Sequence, residues 1–262
     1  MHFATAKDGT KVAYRKYGEG SRVVIFVHGW TMSGQVYDRL LEHLDRSGLT
    51  LLVVDLRGAG DSDKPEASEA HSIARYAGDV LAVADAEKAE SFVLVGHSMG
   101  GQIVQWLAAK HADRVAGAVL LCPVPACGMQ LPPEAVGLFS TSGGNRESTK
   151  TILSMACKEL PEGAMDGLVD IAMRTSAVAV KLGFEAWTAG GFSESLADIK
   201  APLVCLGTDD PFLPPSFLKA EVIAKVRGSR FAYLPGPGHY VQVERPRETA
   251  AVLEAFLAAL GT

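Results

Sequence analysis

Six short and almost uninterrupted apolar runs constrain this chain more than any other feature: VVIFV (23–27), LTLLVVD (49–55), FVLV (92–95), VAGAVLLC (115–122), PLVCL (202–206) and FAYL (231–234). Each is too short for a buried helix and suits a strand covered on both faces. Helical patterns separate several of them. Residues 73–86 carry Ile73, Ala77, Val80, Leu81 and Ala84 along one stripe, and 103–110, 217–226 and 249–260 read the same way. Strands that alternate with helices pair in parallel through right-handed crossovers, which predicts an α/β sheet with helices on both faces. Ahead of these, residues 3–6 and 11–17 flank Asp8-Gly9, a hairpin signal.

One interval breaks the alternation. Residues 123–197 hold no strand pattern, two Gly/Pro/Ser-rich patches (123–133 and 140–146) and helical stretches at 153–160 and 167–182. The expectation is one domain whose core comprises 1–122 and 198–262, with 123–197 inserted as a helical lid over one end of the sheet. At 262 residues with 48% hydrophobic content, a core forms without metal or disulfide staples. A net charge of −5 offers no footprint for nucleic acid or an anionic membrane surface. The four cysteines form no C-x-x-C pair and have no neighbouring His cluster, so they read as buried thiols in a reducing compartment, with no metal site. The first residues lack a signal-peptide pattern, and no apolar stretch reaches the roughly 18 residues of a membrane span. Cytoplasmic residence, no membrane contact and no cofactor are expected.

The chemistry centres on Gly96-His97-Ser98-Met99-Gly100, which follows a strand pattern and precedes a helical one. A G-x-S-x-G turn in that setting strains its central residue, needs small neighbours two positions away, and lifts the serine hydroxyl clear of the sheet. A serine is a weak nucleophile until a base takes its proton. Of seven histidines, His2, His43, His71 and His111 fall at the terminus or on helix faces and loops, where solvated surface is the natural expectation. His97 should turn away from Ser98 and pack structurally. His239, in Gly236-Pro237-Gly238-His239-Tyr240 after the last strand, is the candidate base. The acid that orients it is Asp209 or Asp210, both at the end of the run PLVCL. Negative charge on an attacked carbonyl also needs fixed donors. The N–H of Met99 supplies one, and that of Trp30, in His28-Gly29-Trp30 after VVIFV, supplies the other.

The succession HGW, DLRGAGDS (55–62), GHSMGG, GTDDPFLP and GPGHYVQVERP resembles the α/β-hydrolase superfamily over nearly the whole chain. The resemblance implies an eight-stranded, mostly parallel sheet with a partly antiparallel first hairpin, and a helical lid at 123–197. It favours Asp210 over Asp209, because Gly-x-x-Asp followed by Pro fits the family pattern, and it makes Arg57-Gly58 a structural brace. Branches of the superfamily that attack alkyl carbon carry Asp where Ser98 stands. The resemblance therefore implies hydrolysis of small to medium carboxylic esters or lactones, with Ser98, Asp210 and His239 as the catalytic set. Carbon–carbon bond hydrolysis and cofactor-free perhydrolysis use the same residues, and some members are small-molecule receptors.

Substrate class must come from the insertion. Leu131, Val136, Leu138, Phe139, Met155, Met173, Phe184 and Trp187 are its apolar candidates, and Arg146, Lys150, Lys158, Arg174 and Lys181 read as solvated charges. If the apolar face lines the cavity, Trp30, Phe139 and Trp187 contact a medium-length acyl or aromatic ester.

Overall fold

The computed structural model describes residues 1–261. Its strands are β1 (His2–Thr5), β2 (Lys11–Tyr17), β3 (Arg22–Val27), β4 (Leu49–Val54), β5 (Phe92–His97), β6 (Val115–Leu121), β7 (Leu203–Thr208) and β8 (Arg230–Leu234). The helices are α1 (Asp38–Leu41), α2 (Ile73–Ala86), α3 (Met99–Lys110), α4 (Pro133–Ser140), α5 (Arg146–Ala156), α6 (Ala164–Ala172), α7 (Ala177–Ala189), α8 (Pro215–Glu221), α9 (Val241–Glu244) and α10 (Pro246–Ala259). The strands form a single eight-stranded sheet in the order β1-β2-β4-β3-β5-β6-β7-β8. β1 and β4 pair antiparallel with β2, and every other pairing is parallel.

The apolar runs are continuous because both faces of the sheet are covered. Alternate residues of β3 serve the two sides: Ile25 and Val27 join one buried cluster with α2 and α3, while Val24 and Phe26 join the other with α1 and α10. β4 and β5 flank β3, so the chain leaves β3 in one direction and returns on its other side. Such a reversal opens a crevice at the carboxyl ends of the strands, and the functional loops gather there.

Several boundaries differ from expectation. The helix after β5 begins at Met99 rather than 103, because the Ser98 turn leads straight into it. The interval between β6 and β7 contains four α-helices, a short 3-10 helix (Ser193–Asp198) and no strand among the described residues, but the limits of the helices differ from expectation. Pro133, at the first helical position, opens α4 inside what reads as loop. Asn145 accepts the Ser148 N–H and starts α5 well before residue 153. The stretch 167–182 is two helices, since the Ser176 hydroxyl caps a new start at α7. No helix among the described residues is long and apolar enough to cross a membrane.

Candidate active site

Four loops at the carboxyl ends of β3, β5, β7 and β8 carry Trp30, Ser98, Asp210 and His239 to one rim. Ser98 sits at φ 54° and ψ −122°, a conformation costly for a residue with a side chain, and it is the residue from which α3 starts. The turn is tight enough that a Cβ on Gly100 would lie 2.1 Å from the Val27 carbonyl oxygen. Ser98 also faces the N-terminal end of a 12-residue helix, where partial positive charge favours a developing anion.

His239 donates from Nδ1 to Asp210 Oδ2 at 2.6 Å. The Asp210 side chain is fully buried and its Oδ1 accepts the Phe212 N–H at 2.8 Å. That arrangement leaves His239 Nε2 as the basic nitrogen. Asp209 points elsewhere, accepting from the Tyr233 hydroxyl and the Gly236 N–H. The His239 loop is fixed from several sides. Its own N–H donates to Ala156 O at 2.9 Å, Thr208 Oγ1 donates to Gly238 O at 2.8 Å, and His97 Nε2 donates to His239 O at 2.9 Å. The His97 ring lies 4.8 Å from that of His239, and burial with the neighbouring His239 holds its pKa well below the usual histidine range. His97 is therefore a neutral brace.

Trp30 reaches the site because Gly29 has no side chain: a Cβ there would lie 2.9 Å from Ser98 Cβ. Neither the Trp30 nor the Met99 N–H meets a protein acceptor among the described residues. Two unpartnered backbone donors beside one serine suit an oxyanion. The Trp30 indole is anchored through Nε1 to Val180 O of α7 at 2.7 Å and stacks on Phe139 with centroids 5.6 Å apart.

Ser98 and His239 line a single cavity of about 40 Å³ together with Trp30, Phe139, Trp187 and Phe212. Phe184 packs behind that wall, 5.2 Å from Trp187, whereas Val136 and Met155 are exposed. Sequence alone did not point to Met129, Ile152, Ala156, Phe212, Leu213 or Tyr240, which also line the cavity. The four-residue spacing of Ile152 and Ala156 would have marked them as one helix face had α5 been placed correctly. A larger cavity, about 720 Å³, lies at the opposite end of the sheet around Arg22 and Leu260, far from these groups.

Two expectations about other residues need correction. His71 is buried rather than solvated, its ring held between the Pro65 carbonyl oxygen, to which Nε2 donates at 2.8 Å, and the Tyr76 hydroxyl of α2, 2.9 Å from Nδ1. The cysteines are not uniformly buried: Cys127 is exposed and Cys157 half-buried. Arg57, just beyond β4, pairs with Asp79 of α2 and with Asp8 of the β1–β2 turn at 2.6 Å each.

Residues 22–143 match the α/β hydrolase fold family. A non-heme haloperoxidase of Rhodococcus erythropolis is 32% identical, over 91% of this chain and 93% of that one. A bifunctional esterase/perhydrolase of Acinetobacter calcoaceticus is 28% identical over 98% and 99% of the two chains. Among solved structures, an enzyme described as degrading N-acyl homoserine lactones superposes with a TM-score of 0.82 at 28% identity, covering 97% of this chain and 100% of that one.

Proposed function

This chain belongs to the α/β-hydrolase family, and on that premise we propose that it cleaves small to medium carboxylic esters or lactones through an acyl-enzyme. The observation that carries this reading is the buried Asp210–His239 pair, 2.6 Å apart, opening onto a small apolar cavity that Ser98 also lines. Ser98 Oγ attacks the ester carbonyl while His239 Nε2 takes its proton. Asp210 keeps the imidazole in the tautomer that can do so and stabilises its charged form. The Trp30 and Met99 N–H groups hold the tetrahedral oxyanion. His239 then protonates the leaving alcohol, and a water deprotonated by the same nitrogen releases the acid.

A cavity of about 40 Å³ favours short acyl groups over the medium-length chains that the insertion's composition suggests. A second reading has support in the names of two relatives, a haloperoxidase and an esterase/perhydrolase. If hydrogen peroxide replaces water in the second half-reaction, the acyl-enzyme yields a peracid in place of the acid.

The test is turnover of p-nitrophenyl acetate, butyrate and octanoate by the wild type and Ser98→Ala. Acetate and butyrate should exceed octanoate, and the variant should lose about 10³-fold or more in kcat, as when the nucleophile of such a unit is removed. Equal rates in wild type and variant would overturn the hydrolase assignment and leave small-molecule binding as the function to pursue. Adding peroxide and trapping peracid separates the two second half-reactions.

A further inference from the structure

Glu244 ends α9, one turn beyond His239, and is almost fully buried. Among the described residues no Lys, Arg or His side chain pairs with it. Its carboxylate is instead surrounded by backbone donors. Oε2 accepts from Lys158 N at 2.8 Å, Glu159 N at 2.7 Å and Gly238 N at 2.9 Å, and Oε1 accepts from Tyr240 N at 3.1 Å. Two donors therefore come from the turn that follows α5 in the insertion. The other two come from the residues on either side of His239.

The two segments have no other reason to be coupled in sequence, yet they meet at bonding distance. Ala156, the last residue of α5, takes the His239 N–H at 2.9 Å. A Cβ on Gly238 would lie 2.2 Å from that same carbonyl oxygen. The face of α5 that carries Ile152 and Ala156 forms cavity wall, so this joint ties the wall to the candidate base.

We propose that Glu244 is a positioning residue that joins the end of α5 to the His239 loop, so that the cavity wall and the base are set as one unit. The proposal rests on the assignment of His239 as base, and it adds a carboxylate that never touches substrate. Glu244→Gln is nearly isosteric but cannot accept four N–H groups: in either orientation its amide nitrogen faces at least one backbone donor. A displaced imidazole costs roughly 10- to 100-fold in rate for about 1 Å of misplacement.

The decisive experiment pairs kinetics with hydrogen exchange. In Glu244→Gln, kcat per serine titrated with a fluorophosphonate should fall about tenfold or more, and the octanoate-to-butyrate ratio should change because the wall moves with the base. A merely structural role lowers the titratable fraction and leaves both quantities alone, and that result in a folded variant would overturn the proposal. Should the variant not fold, hydrogen exchange in the wild type tests the joint independently. The amides of Lys158, Glu159, Gly238 and Tyr240 should exchange at one shared slow rate, and faster, unlinked exchange of the first two would sink the joint. Retained turnover in Ser98→Ala would instead remove the hydrolase assignment, while the exchange data would still test the joint itself.

Discussion

A Cβ placed on Gly100, where the serine turn enters α3, would lie 2.1 Å from the carbonyl oxygen of Val27, whereas one on Gly137 of α4 or Gly167 of α6 would meet no atom within 4 Å. The contrast separates two ways of building one cavity. At the rim, backbone is set against backbone: parallel strands fix where β3 and β5 end, and the loops beyond them can approach only where side chains are missing. The insertion touches the same cavity through side chains on helices whose other faces are wet, such as Phe139 beside exposed Val136. Position is therefore strict at the rim and adjustable along the exposed faces of α4 and α6, while the insertion's joints at Gly128, Gly143 and Gly190 are set against backbone as closely as the rim.

The strongest way to break that contrast is Gly100→Ala. Backbone carbonyls cannot yield as a side chain can, so the variant should lose at least about 3 kcal/mol of stability in urea unfolding, beyond ordinary overpacking. A loss below about 1 kcal/mol would mean that the serine turn has slack and that the contrast is overstated.

Phe139→Ala probes the other side. Phe139 stacks on Trp30 and meets Phe212 edge-on at 5.8 Å, so truncation enlarges the cavity and removes two side-chain contacts to the rim while leaving the rim backbone unaltered. The octanoate-to-acetate ratio of kcat/KM should rise by about tenfold, the scale of one or two added methylenes in an apolar pocket. Turnover of acetate should change far less. An unchanged ratio would remove the insertion from substrate selection.

The same division governs how much was legible in the sequence. The rim could be read because its constraints are local: a strand run, a glycine-spaced serine and a following helix leave few options for where Ser98 lies. Asp210 and Asp209 could not be separated by local pattern alone, since both end β7. What separates them is the non-local reach of the His239 loop to one and of Tyr233 and Gly236 to the other. The insertion was harder. Pro133 and Asn145 start helices, yet they sit in Gly/Pro/Ser-rich stretches that also read as loop. Glu244 offered no signal, because its four partners are backbone N–H groups that any residue supplies.

Histidines sharpen the comparison further, since 123–197 contains none. His28, His71 and His97 are buried around the rim, and burial lowers the pKa of each below the usual 6.5. In the unfolded chain they take up protons as pH falls through about 6.5, whereas in the folded chain they stay neutral to lower pH. The unfolded state then binds more protons, so stability is fully present above that pH and declines below it. The melting temperature should drop between pH 7.5 and 5.5, most steeply below about pH 6.5, where the unfolded histidines take up their protons. Replacing His71, which neither adjoins Ser98 as His97 does nor shares the Trp30 loop with His28, by Gln should flatten part of the slope. A level melting temperature across that range would mean the three rings take protons as readily folded as unfolded.

The smallest expected effects test the insertion's slack directly. Gly137 and Gly167 are exposed and helical with open space at the Cβ position, so Gly→Ala reduces the freedom of the unfolded chain and adds no clash. Each substitution should raise stability by about 0.4–1 kcal/mol, which shifts the melting temperature of a chain this size by roughly 1–4 °C. Differential scanning calorimetry of the two single variants and the double variant resolves shifts of that order. α4 and α6 are separate helices, so the two gains should add. A gain in one variant with loss of turnover would show that the looseness of that helix is used when substrate enters, and a fall in melting temperature would show that the helix is seated as tightly as the rim.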